Sequence, residues 1–318
     1  MKYLFFDIEC ALVSKKWAKI CAFGYCQTDE QFHILKKEDL LINPQGKFHL
    51  TDRKGTQGLV LPYKYADFKN YPTFCELADK IYGLLQDKDT FVAGHATMND
   101  VKYLNLESQR FSLPPFSFRF ADTQFVYMNR IGDFSRQFGL GTIAEQLNVE
   151  FIPHRAVDDA YATMRIAEAM CKEEGLSCPQ LLEKYKIQRG EIKDFEIKPI
   201  TSESFEAHKA AVEKRREERG RLKAEFSNFA DREKRRRAKE GKLKNKSVCF
   251  SHPLELELPL SKKLLKAAFN EAATFTSHAE ECDVYVCFEN ESGQRLVSVK
   301  ANNARVYTPE EFLEYLGV

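Results

Sequence analysis

The 318-residue chain has no apolar run near the length that a helical membrane span requires, so a helix-spanning membrane protein is not expected. Its first residues lack a basic cluster followed by an apolar core, and a cleaved secretory leader is not expected either. The nine cysteines, at positions 10, 21, 26, 75, 171, 178, 249, 282 and 287, include no C-x-x-C pair. That spacing indicates neither a zinc site nor a disulfide framework. Most sit between apolar neighbours (Ile20-Cys21-Ala22, Val286-Cys287-Phe288), where cysteine acts as a small core residue. A reducing, cytoplasmic setting is the expectation. Net charge is nearly lacking too, at +1, but it is unevenly spread. Residues 203–246 hold 16 Lys/Arg against 9 Asp/Glu, which leaves the remainder of the chain at −6. A composition of 43% apolar and 30% charged residues in 36.8 kDa suits one large globular domain and a small one.

What is present is organised around Tyr3-Leu4-Phe5-Phe6-Asp7-Ile8-Glu9. The unbroken apolar run reads as a strand buried on both faces. Asp7 and Glu9, two apart on a strand, point to the same side. Their mutual repulsion raises the cost of keeping both ionised, and a divalent cation between them removes that cost. Alone, such a pair is more commonly the polar end of a strand meeting solvent, so partners elsewhere in the chain have to decide the matter.

Residues 19–26 and 31–35 read as two strands around the turn 27–30. Residues 43–71 show no periodicity and read as an irregular excursion suited to lining a substrate cleft. The stretch 72–85 is a helix with Thr73 as N-cap, Glu76 three residues on, and one apolar face. Residues 90–95 form a short buried strand, after which Asn99-Asp100 opens a helix. Asp100 thus lies just past a strand end, where open α/β sheets hold ligands. Residues 118–123 read as another strand end, 141–147 as a short helix capped by Thr142, and 153–170 as a helix with Asp158 and Asp159 in its first part. Taken singly, Asp100, Asp158 and Asp159 would be ordinary helix-start acids, and His154 an ordinary loop residue.

Together the pieces give Asp7-x-Glu9, His95-x4-Asp100 and His154-x4-Asp159, each at a junction between an element and a loop. Over roughly residues 1–172 this pattern resembles the histidine-bearing (DEDDh) branch of the DEDD superfamily of 3′→5′ exonucleases. Within that branch it resembles the proofreading epsilon subunits of bacterial DNA polymerase III and their free-standing relatives. The resemblance implies a ribonuclease H-like mixed sheet flanked by helices. It also implies that Asp7, Glu9, Asp100 and Asp159 hold two Mg²⁺ or Mn²⁺ ions, with His154 taking the proton of the attacking water. The chemistry matches those residue types: four carboxylates balance two divalent cations, hard oxygens suit these metals, and imidazole titrates near neutrality. The family places its last acid five residues after the histidine, at Asp159, with Asp158 as the alternative. Ile8, Cys10, Ala11 and His95 occupy the substrate-contacting positions. The chain departs from relatives that carry Thr-Thr-Gly after the first motif, having Cys10-Ala11-Leu12, and from their His-Asn, having His95-Ala96.

Residues 203–246 read as a long polar helix, with Phe205, Val212 and Phe226 at one heptad position and Leu222 and Phe229 at another. It is either a solvated linker with a narrow packing stripe or an attachment to nucleic-acid phosphates. From residue 246 on, the order strand, helix, strand, strand, short helix, strand, helix resembles a BRCT domain, with Thr308 capping the last helix. Glu271-Ala272-Ala273 stands where a Gly-Gly is frequent, and Phe312 or Tyr315 where a Trp is common. The expected organisation is therefore a nuclease domain over 1–175, a charged helical linker over 176–245 and a BRCT-like recognition domain over 246–318. The expected activity is metal-dependent release of nucleoside monophosphates from DNA 3′ ends. RNA trimming and an inactive scaffold for replication or repair partners are the alternatives, with a protein partner for the BRCT-like domain and no membrane association.

Overall fold

The computed structural model describes residues 1–46, 63–150 and 155–318. The middle of the expected excursion over 43–71 and the proposed general base His154 lie outside the described residues. The chain divides into two compact units, 1–208 and 209–318.

The first unit is built on strands β1 (Lys2–Val13), β2 (Ala18–Thr28) and β3 (Ile34–Leu41), helix α1 (Phe74–Leu85), β4 (Thr90–Gly94), α2 (Met98–Arg110) and β5 (Phe118–Asp122). Helices α3 (Thr123–Ile131), α4 (Leu140–Gln146), α5 (Ala156–Glu174) and α6 (Cys178–Lys184) follow, then short strands β6 (Ile187–Gln188), β7 (Gly190–Lys193), β8 (Glu196–Lys198) and β9 (Thr201–Ser202). The sheet order is β3-β2-β1-β4-β5-β7-β8. Strands β1, β4 and β5 run parallel, while β2 and β3 on one side and β7 and β8 on the other are antiparallel. This is the ribonuclease H-like mixed sheet.

β1 lies inside the sheet between β2 and β4, where its apolar run serves both faces. Tyr3 and Phe5 enter the cluster with α3, α5 and α6, while Leu4, Phe6 and Ile8 enter the cluster with α1 and α2. Tyr3, Leu4, Phe5 and Phe6 are all fully buried, and a large apolar side chain buried this way is worth about 1.5–3 kcal/mol. The alternation dictates where the acids point. Asp7 and Glu9 continue the face of Tyr3 and Phe5, the one that α5 covers.

Several local expectations differ from the structure. The Thr73 capping box on α1 is present, with Glu76 accepting from the Thr73 N–H at 2.7 Å. α4, however, begins at Leu140 with Gly139 as its cap, so Thr142 lies inside the helix. α3 went unread because Thr123–Asn129 are buried on every side, which leaves no apolar stripe to detect. Residues 176–202 are not a linker. β7 and β8 extend the sheet, with Ile192 fully buried against Phe118 and Phe120. Gly190 has no Cβ because one there would lie 2.2 Å from the Phe120 ring.

Helix α7 (Glu203–Lys234) follows, and the division between the units falls within it, after His208. The expected heptad stripe is not one seam. Phe205 packs on Phe125 and Phe134, Val212 is exposed, and Phe226 joins the core of the second unit. The rest of that unit comprises β10 (Ser247–Phe250), α8 (His252–Leu256), α9 (Leu258–Asn270), β11 (Thr274–Phe275), β12 (Val284–Val286), α10 (Gln294–Ala301), β13 (Arg305–Tyr307) and α11 (Pro309–Leu316). Its four strands are all parallel, in the order β11-β10-β12-β13. The Thr308–Glu311 capping box opens α11, and the short helix of the expected order is α10.

Candidate active site

Asp7 pairs across β1 and β2 with Gly24, and Gly24 pairs across β2 and β3 with Asp39. The three positions form a row with two carboxylates flanking a bare backbone. A Cβ on Gly24 would lie 2.0 Å from the carbonyl carbon of Ala156, so the first turn of α5 rests in the notch that the glycine leaves. Contacts on its outer side hold it there. The Tyr63 hydroxyl donates to Asp39 Oδ2 at 3.2 Å and accepts from the Ala156 N–H at 3.3 Å. Arg155 Nε donates to Asp39 at 3.3 Å, and Lys37 Nζ donates to Asp158 at 3.1 Å.

With α5 so placed, Asp7, Glu9 and Asp159 each offer a carboxylate oxygen, and these lie within 4.8 Å of one another. Asp158 faces Lys37 and Arg155 instead. Asp100, near the start of α2, is outside this triplet but close to it. The charges of Asp7, then Asp122 and Glu9, all bear on its carboxylate.

The electrostatics are those of concentrated, poorly solvated negative charge. Burial, then Glu9 and Asp159, push Asp7 well above the usual carboxylate range. Burial, then Asp159 and Asp39, raise Glu9 to about 7. Asp100 is also well raised, by burial first and Asp7 second. A divalent cation is bound by carboxylate oxygens at about 2.0–2.6 Å, and it would relieve this repulsion. The donor set therefore fits such an ion.

The remaining expected residues are placed differently. His95 is largely buried and has both ring nitrogens engaged, Nδ1 with Thr123 Oγ1 at 3.0 Å and Nε2 with the Phe138 carbonyl at 3.1 Å. Burial lowers it to about 4, so the ring is neutral at physiological pH. The Phe138 carbonyl can only accept, which assigns the proton to Nε2, while the one proton of the Thr123 hydroxyl has two acceptors in reach, His95 Nδ1 and the Gly94 carbonyl at 3.2 Å. His95 thus ties the end of β4 to the Phe138 segment. Ile8 and Ala11 are buried in packing clusters, which leaves their main chain for any contact with substrate. Cys10 is half-buried, and burial pushes its thiol up.

Three structural roles were missed in the sequence. Asp122 accepts the N–H groups of Ala96, Thr97, Gln124 and Phe125, so it caps α3 and also holds the turn after β4. Ala96 in that turn has φ +53°, a left-handed position where asparagine is easier to accommodate. Asp39 and Gly24 became meaningful only through strand register. The sequence placed the third strand at 31–35, short of Asp39, whereas β3 runs to Leu41.

A family model described as Exonuclease (RNase_T) matches residues 4–167. No curated protein matches the chain. Among solved structures, one described as 3′-end specific recognition of histone mRNA stem-loop by 3′-exonuclease is 13% identical with TM-score 0.49, covering 64% of this chain and 91% of that one. The nuclease domain of 3′hExo, a DEDDh family member bound to rAMP, is 17% identical with TM-score 0.44, covering 54% and 91%. E. coli exonuclease I in complex with a dA16 oligonucleotide is 18% identical with TM-score 0.43, covering 57% of this chain and 42% of that one.

Proposed function

The chain belongs to the exonuclease family, and we propose that it is a metal-dependent 3′→5′ exonuclease that releases nucleoside monophosphates from DNA 3′ ends. The observation that carries the reading is the convergence of Asp7, Glu9 and Asp159, with Asp100 beside them, in a pocket where burial makes their shared charge unfavourable without a cation. In this reading the four carboxylates hold two Mg²⁺ or Mn²⁺ ions. Such ions, when bound, supply positive charge at the attacking and leaving oxygens of an in-line displacement.

The chain's own groups do the rest. The first turn of α5, seated on Gly24, aims Asp159 at the acids of β1. His154, just before that turn in sequence, takes the proton of the attacking water, a role resting on the resemblance. The main chain around Ile8, Cys10 and Ala11 is offered to the terminal nucleotide. The second unit is proposed as a BRCT-like recognition module, supported by its element order and parallel four-stranded sheet. Such a module favours DNA over RNA as the substrate. Matched 5′-labelled DNA and RNA oligonucleotides incubated with Mn²⁺ test the proposal. A DNA ladder shortened from the 3′ end is expected, a ladder from RNA alone turns the reading to an exoribonuclease, and intact 3′ ends on both overturn it in favour of a scaffold.

A further inference from the structure

Thirteen consecutive residues of α7, Lys209 to Arg221, are all exposed. Nothing is buried there, so packing does not explain the pattern of charge. At 100° per residue, Arg215, Arg216, Arg219 and Lys223 fall on one face with Val212, and they line a shallow groove together with Val212 and Gly220. Glu213, Glu217 and Glu218 project from the flank and the far side of the helix. None of the four cations has an ion pair or a hydrogen bond to a carboxylate among the described residues. Cations elsewhere in the second unit do, as Lys262 with Glu225 at 2.6 Å and Arg236 with Glu233 at 3.2 Å show. The stripe is thus a row of unneutralised charge on a chain whose remainder is net acidic.

Arg215 to Lys223 spans about 12 Å of helix. Over that length one strand of a B-form duplex presents three to four phosphates, at about 3.4 Å of axis each. Three of the four cations are arginines, whose planar fork matches phosphate oxygens in pairs. A protein partner would need a buried anchor, usually aromatic, and the groove offers only Val212. Gly220 has nothing within 4 Å of where a Cβ would stand, so a backbone can approach closely.

We propose that Arg215, Arg216, Arg219 and Lys223 form a second phosphate-binding surface, separate from the carboxylate pocket, that holds the sugar–phosphate backbone of a nucleic acid without reading its sequence. The identity of the polyanion rests on the nuclease reading above. The test uses the full chain and the variant R215A/R216A/R219A/K223A, since alanine preserves the helix. Binding to a labelled 20-nucleotide single-stranded DNA is followed by anisotropy in EDTA across about 50–300 mM KCl.

Each lost phosphate contact lowers the slope of log K against log salt by about 0.7, so a fall of roughly 2–3 in slope and at least tenfold in affinity near 100 mM salt is expected. The charge-conserving variant with lysine at the three arginine positions is expected to restore most of the slope. A wild-type chain that does not bind, or a quadruple variant with an unchanged slope, overturns the proposal, the latter leaving an acidic protein as the better occupant. Cleavage of a trinucleotide, which has too few phosphates to occupy both places, is read in parallel and is expected to be equal in the two proteins. Its absence from both, with the slope change intact, counts against the nuclease reading and leaves the surface standing.

Discussion

Asp158 and Asp159 are adjacent acids in the first turn of one helix, yet their surroundings are opposite. Asp158 is neutralised by Lys37 at 3.1 Å, with Arg155 at 3.9 Å, while Asp159 adds a third negative group to Asp7 and Glu9. Asp159→Asn is therefore expected to reduce cleavage by at least about a hundredfold and to weaken Mn²⁺ binding. Asp158→Asn removes only a partly exposed ion pair worth about 0.2–1 kcal/mol and is expected to leave the rate within about threefold. Equal losses would undo the assignment. The same crowding gives a pH signature in the metal-free chain. Asp7, Glu9 and Asp100 bind protons more tightly folded than unfolded. Their contribution to stability is complete below the ordinary carboxylate range, and it is lost as pH rises from about 4.5 towards the folded value of Glu9, about 7. Melting in EDTA is expected to drop across that window, and saturating Mn²⁺, which favours the ionised groups, to diminish the drop; an equal slope with and without the metal would contradict the site.

At the scale of elements, the site depends on how α5 is seated. Gly24→Ala places a methyl group against main-chain atoms 2.0–2.1 Å away, which cannot move without displacing the helix. A loss of about 1–3 kcal/mol or more, together with weaker Mn²⁺ binding, is the expected outcome of a denaturant titration and a metal titration. Tyr63→Phe removes only the hydroxyl that joins Asp39 to Ala156, and is expected to weaken Mn²⁺ binding several-fold while costing about 1 kcal/mol. Metal binding unchanged in both variants would show that Asp159 does not need this seat. These contacts also mark the limit of what the sequence discloses. The burial of β1 on both faces and the Thr73 and Thr308 capping boxes were legible because each is written in neighbouring residues. α3 was not, since a helix buried all round has no periodicity. Strands β7 and β8 were hidden by their length. The Asp7–Gly24–Asp39 row was hidden because register joins residues that only strand pairing brings side by side.

At the scale of the whole molecule, charge and packing are divided along the chain. The first unit encloses the acids within two large apolar clusters, while the second has a cluster of its own, into which Phe226 and Ala230 of α7 are inserted. Phe226 is 3% exposed and its ring lies 5.5 Å from that of Phe275 and 6.0 Å from that of Phe250. A helix with thirteen consecutive solvated residues gains little from its own propensity, so this anchorage is what stabilises its C-terminal half. Phe226→Ala removes a buried ring at an expected cost of about 3–5 kcal/mol, read as a denaturation midpoint lowered for probes in the second unit. Because the carboxylate pocket draws on none of these residues, cleavage of a trinucleotide is expected to persist under conditions where that unit has begun to unfold. Binding of long oligonucleotides is expected to fall under the same conditions, since the Arg215–Lys223 stripe needs an intact helix to keep its cations on one face. Should trinucleotide cleavage fall together with the second unit's midpoint, the pocket would not be self-sufficient, and the assignment of chemistry to the first unit and backbone holding to the second would have to be abandoned.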